Sequence, residues 1–170
     1  MKAIFCYGSN NPTQLQDRVG HVDKKNMIKC FADGWMRTFR GYSQKWGGGV
    51  ATLIKKSGAS CYGYIANLSD DQVEILNEYE GTASGHYVLK PLTVTTDYGD
   101  KKAYAYLATA KEYNEPSKAY LNAIAKTVGA FWTNGDGSKI TSSDITIKKN
   151  PRNNKITKLL KRADAILKKY

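Results

Sequence analysis

The sequence predicts an α+β fold: a mixed, mostly antiparallel curled sheet or small β-barrel with flanking helices. Three observations carry this. Short β-branched and aromatic runs recur along the chain, turn residues separate several of them as in hairpins, and helical periodicity is confined to a few segments. At 170 residues the chain has the size of one domain and can bury a core without metal or disulfide staples.

Ala3 to Cys6 reads as the first strand and runs into the polar turn Tyr7-Gly8-Ser9-Asn10. A strand ending in such a turn aims backbone N–H groups and small polar side chains at one point, where anionic or carbonyl ligands bind. Taken alone, Gly8 could serve only the turn and Asn10 only a helix cap. A short helix from Thr13 to Arg18 follows Pro12. Met27 to Phe31, Trp35 to Phe39, Val50 to Ile54 and Ala59 to Asn67 read as further strands. Ser57-Gly58, between the last two, is predicted to be a hairpin connection, and Tyr98-Gly99-Asp100 another, between Tyr87 to Thr96 and Ala103 to Thr109.

The clearest helix start is Ser69-Asp70-Asp71-Gln72, a capping box with Leu68 and Val73 at the positions of a hydrophobic staple; the helix should run to about Tyr79. A third helix follows Pro116-Ser117, with Ala119, Tyr120, Ala123, Ile124, Thr127 and Val128 on one face through about Phe131. Residues 133 to 138, Thr-Asn-Gly-Asp-Gly-Ser, break that pattern and place a boundary between a body of residues 1–132 and a C-terminal extension of residues 133–170.

Charge is concentrated in that extension. From Lys139 onward ten Lys or Arg stand against two Asp, which supplies +8 of the net +11. Ile156, Leu159, Leu160, Ala163, Ile166 and Leu167 recur there at helical spacing, predicting a basic amphipathic helix that packs on the body or contacts a polyanion. Cys6, Cys30 and Cys61 are odd in number and widely spaced, so a disulfide framework and a thiolate metal site are not expected. The short apolar run at the N-terminus does not suit a signal peptide, and nothing approaches the ~20 apolar residues of a membrane span. A cytoplasmic protein, without membrane contact, is expected, as a monomer or a homodimer.

On a helical wheel with Val73 at zero, Ile75, Leu76 and Tyr79 fall at about 200°, 300° and 240° and are predicted to form the buried face. Glu74 and Glu78 lie opposite. Glu80, at about 340°, lies on the edge of the apolar stripe. Burial there and the negative end of the helix dipole would both disfavour its ionised form and raise its pKa, as general acid–base chemistry near neutral pH requires; the alternative is a helix frayed at Gly81 with Glu80 in solvent or paired with a lysine.

Tyr7-Gly8-Ser9-Asn10, Gln14-Leu15, Arg18, Tyr42-Ser43, Trp46-Gly47-Gly48-Gly49-Val50-Ala51-Thr52, Tyr79-Glu80-Gly81 and Tyr87 together resemble the gamma-glutamylcyclotransferase family over roughly residues 3 to 121. The resemblance implies a mixed β-barrel with flanking helices and the release of an amine from a small-molecule gamma-glutamyl substrate, leaving 5-oxoproline. It implies Glu80 as catalytic acid–base and Cys6, Tyr7, Gly8, Ser9 and Asn10 as the binding turn. Tyr87, Tyr106 and Tyr120 would line the same pocket. No cofactor or metal is implied. Asn11 stands where the family often has Leu or Met, and the basic extension is a departure from it.

Three other readings compete. Cys6 with His86 would suit a cysteine hydrolase, and His21 with His86 a metal site. The third is a non-catalytic module that binds a small molecule or a polyanion on the same fold. Trp46-Gly47-Gly48-Gly49 lacks the Lys-Ser/Thr of a phosphate loop and suits close backbone packing or a pocket wall.

Overall fold

The computed structural model describes residues 1–145, and the predicted amphipathic helix lies outside the described residues. Five strands, β1 (Lys2–Cys6), β2 (Met27–Ser43), β3 (Gly48–Leu68), β4 (Tyr87–Thr96) and β5 (Gly99–Ala108), form a closed barrel in the order β1-β3-β2-β4-β5. Every pairing is antiparallel except the closing one, a parallel bridge between Ile4 of β1 and Tyr104 of β5. Three helices flank it: α1 (Pro12–Val19), α2 (Asp70–Glu80) and α3 (Lys118–Gly129). The mixed, mostly antiparallel barrel of the sequence reading is therefore the observed architecture.

The strands are fewer and longer than predicted. Met27 to Phe31 and Trp35 to Phe39 belong to one strand, as do Val50 to Ile54 and Ala59 to Asn67. The hairpin predicted at Ser57-Gly58 does not form. The ladder there jumps from Asp33↔Ser60 to Trp35↔Lys55, a bulge carrying Gly34 and Gly58 at φ of 79° and 80°. Glycine absorbs the irregularity and both strands continue past it. The reversal lies instead between Ser43 and Gly48, with Gly47 at φ 73°. The second predicted hairpin is present: Thr96 pairs with Gly99 across Asp97 and Tyr98.

β1 is buried on both faces, so its alternating side chains enter two cores. Phe5 and Tyr7 join the barrel interior with Phe39, Val94 and the α3 residues Ile124 and Val128. Ile4 and Cys6 join a second cluster with Leu15 and Val19 of α1, Val73 and Leu76 of α2, and Tyr64 and Tyr106. The C-terminal end of β1 therefore emerges between the α1–α2 pair and α3. Beyond α3, Ile140 and the buried Ile145 pack on the barrel-side core. No helix among the described residues is long and apolar enough to cross a membrane.

Candidate active site

A cavity of about 300 Å³ opens where β1 ends. Each element delivers its side chains for a local reason. Asn11, not Asn10, caps α1: its Oδ1 accepts from the N–H of Gln14 at 3.0 Å, and Pro12 opens the helix. The second asparagine thus frees the first. Asn10 Nδ2 donates to Glu80 Oε1 at 3.0 Å, and its Oδ1 accepts from Arg18 at 2.9 Å and Gln14 Nε2 at 3.2 Å. The backbone carbonyl of Asn10 accepts from the buried Tyr64 hydroxyl at 2.7 Å. Arg37 Nε holds the Tyr7 carbonyl at 2.9 Å, so the turn is pinned along its length.

α2 brings Glu80 to the same point. Its capping box forms as the sequence indicates, with Ser69 accepting from the Gln72 N–H and Gln72 accepting from the Ser69 N–H. The buried face differs from the predicted one. Ile75 and Tyr79 are exposed, and Val73, Leu76, Asn77 and Glu80 turn inward. Glu80 therefore sits at the middle of the inward stripe and not at its edge. Burial raises its pKa above the ordinary carboxylate range, opposed in part by the Arg18 charge and the Asn10 hydrogen bond.

The remaining predicted residues, Cys6, Tyr7, Gly8, Ser9, Tyr87, Tyr106 and Tyr120, all line this cavity. Their chemistry is distinct. The Tyr7 hydroxyl donates to the Tyr106 carbonyl and is committed to the fold. The Tyr120 hydroxyl accepts from the Ala51 N–H at 2.8 Å, which leaves its own hydrogen to donate. Burial pushes the Tyr7, Tyr87, Tyr106 and Tyr120 hydroxyls above their usual range, so all four are neutral donors. The Cys6 thiol is buried and pushed up to about 12, which makes it a poor nucleophile. Nor does His86 serve it as a base, since His86 is exposed and pairs through Nδ1 with Ser84 at 2.9 Å. His21 pairs with Asp23 at the surface, and no cluster of three metal-ligating side chains occurs among the described residues.

Arg18 and Tyr79, to which the sequence assigns no role in the site, also line the cavity, as does Trp46, which takes the pocket-wall alternative for its segment. Arg18 stacks on Tyr79 at 4.9 Å from its ring centre while reaching Asn10. Its signal was available: Gln14 and Arg18 are four apart and so share a face of α1. The glycine run packs as expected. A side chain on Gly49 would meet the Asn114 carbonyl oxygen at 2.1 Å, and one on Gly48 the Glu115 carbonyl oxygen at 2.5 Å. That close approach lets the 114–117 segment lie on β3 and start α3 with Tyr120 facing the cavity.

Residues 4–123 match the family model described as Gamma-glutamyl cyclotransferase, AIG2-like. The chain is 34% identical over 129 residues to the gamma-glutamylcyclotransferase of Homo sapiens, covering 71% of this chain and 66% of that protein. It is 30% identical over 128 residues to the gamma-glutamylcyclotransferase of Mus musculus, with the same coverage. The matched part thus spans just under two thirds of the length of these relatives. A solved structure named Gamma-glutamyl cyclotransferase has the same fold, with a TM-score of 0.71 at 22% identity over 88% of this chain and 89% of that one.

Proposed function

The chain belongs to the gamma-glutamyl cyclotransferase, AIG2-like family, and we propose that it is an enzyme that releases an amine or amino acid from a gamma-glutamyl compound with formation of 5-oxoproline. The observation that carries this reading is Glu80, a carboxyl with a raised pKa that faces the cavity and is oriented by Asn10 of the β1 turn.

The substrate's α-amine attacks its own γ-carbonyl carbon, a five-membered ring closes, and the γ-amide C–N bond breaks. The α-nitrogen keeps one hydrogen in the lactam and sheds two, both of which end on the leaving amine, so no water is consumed. Glu80 takes a proton from the α-ammonium, which is inert until it loses one, and delivers it to the departing nitrogen. Because the nucleophile is part of the substrate, the protein's main task is to fold the glutamyl chain against the turn. Backbone N–H groups of Gly8 and Ser9 would hold the α-carboxylate or the developing oxyanion, and Tyr120 and Tyr87 would supply neutral donors nearby.

The test is incubation with a panel of gamma-glutamyl compounds (amino acids, peptides, amines) and measurement of 5-oxoproline. Wild type is expected to turn over at least one, and Glu80→Gln to lose roughly 10²- to 10⁴-fold in rate. No product from any compound, or undiminished product with the variant, would sink the reading.

A further inference from the structure

Glu80 is held at two places. Asn10 fixes the carboxyl, and a second asparagine, three residues earlier on α2, fixes the backbone that carries it. Asn77 Oδ1 accepts from the Tyr106 hydroxyl at 2.6 Å, bridging α2 to β5. The same Tyr106 accepts the Tyr7 hydroxyl through its carbonyl, so the tie reaches β1. The Asn77 carbonyl meanwhile accepts from the Gly81 N–H, from the Thr82 N–H at 3.2 Å and from Thr82 Oγ1 at 3.4 Å. One residue therefore anchors both the side-chain face and the C-terminal cap of the turn that ends in Glu80. Gly81, at φ 66°, turns the chain so that its own N–H and that of Thr82 reach back to the Asn77 carbonyl, and the cap and the side-chain bond both run through this residue.

We infer that Asn77 is a positioning residue: through the Asn77–Tyr106 hydrogen bond it holds the last turn of α2 so that Glu80 points into the cavity. The inference rests on the cyclisation reading for its kinetic consequence, but its structural consequence is independent of that reading. The groups facing Glu80 are Arg18 from α1, Cys6 and Tyr7 from β1, Tyr87 from β4, Tyr106 from β5 and Tyr120 from α3, with Lys45 of the β2–β3 turn also on the cavity wall. Arg18 and Lys45 are the cations of this set.

The experiment compares Asn77→Ala, which removes the acceptor, with Asn77→Asp, which keeps an acceptor oxygen and adds a negative charge. The Glu80 carboxyl is titrated by carbon-13 NMR, and kcat and KM are followed against pH. Asn77→Ala is expected to lower the Glu80 pKa toward that of a solvated carboxylate, as the turn loosens, and to reduce kcat roughly 10- to 100-fold with KM little changed. Asn77→Asp is expected to raise the Glu80 pKa by like-charge repulsion and to move the acidic limb of the rate profile upward, with kcat on the plateau near wild type. Unchanged Glu80 titration in both variants overturns the inference, as does a kcat loss that tracks only the fall in melting temperature. A wild-type protein inert toward every gamma-glutamyl compound, whose Glu80 titration still shifts in the two variants, would sink the cyclisation reading and leave the positioning role standing.

Discussion

A buried carboxyl with a raised pKa binds its proton more tightly in the folded chain than in the unfolded one. For Glu80 the folded state therefore gains on the unfolded state at low pH and loses that advantage as pH rises from about 4.5 through the folded value. Glu80→Gln should accordingly raise the melting temperature, more at pH 7 than at pH 4, while slowing cyclisation. Thermal unfolding at the two pH values measures this, and a variant less stable than wild type at pH 7 would contradict it. The rate of the wild type should fall on acidification as Glu80 becomes protonated. Cys6, by contrast, should resist alkylation in the folded protein, and iodoacetamide should leave 5-oxoproline formation intact. Glu80 could be singled out from the wheel because Glu74 and Glu78 pointed the other way. Its central place could not, because hydrophobicity alone assigns Ile75 and Tyr79 to the core, and both are exposed. The inward stripe of α2 is half polar, Asn77 and Glu80 beside Val73 and Leu76, and apolar periodicity is blind to a polar stripe that closes a pocket.

Among the elements, helix starts and the bounds of β4 are legible in the sequence, whereas the continuity of β2 and β3, each read as two strands, is not. Ser69 and Ser117 cap α2 and α3 because a hydroxyl that accepts from the first-turn N–H groups is a local device, independent of the rest of the fold. Asn11 does the same for α1, and Asn11→Ala should cost about 1 kcal/mol of stability by denaturant unfolding. It should also weaken Asn10's grip on Glu80, seen as a lower kcat. The mistaken hairpin at Ser57-Gly58 has a non-local cause: the same glycine signal serves a turn or a bulge, and the presence of Gly34 on the facing strand decides which. The glycines at 48 and 49 are likewise explained only by what lies across from them. Gly49→Ala should destabilise the fold by about 1–3 kcal/mol through the clash with Asn114. It should also displace Tyr120, so activity should fall further than stability alone accounts for.

For the whole molecule, the body and the basic extension make separable predictions. Ile140 and Ile145 pack on the barrel-side core, so a chain cut after residue 138 should have a lower melting temperature than one cut after Ile145. A polyanion contact through the basic extension would be read as salt-sensitive binding to heparin that is lost when residues 139–170 are deleted. The family resemblance was legible because its motifs are short and ordered along the sequence. What brought them to one cavity was not, because it depends on barrel closure.

That closure has a kinetic consequence. Asn10 and Glu80 meet across 70 residues of chain, and Tyr7 and Tyr106 across 99. The short helices and the β4–β5 hairpin can form from neighbours alone, whereas the first contact waits for β1 to pair with β3 and bring α1 to α2, and the second for the seam between β1 and β5. During refolding from denaturant, far-ultraviolet circular dichroism should therefore recover before enzymatic competence does, and a chain trapped with its seam open should be rich in secondary structure yet catalytically silent.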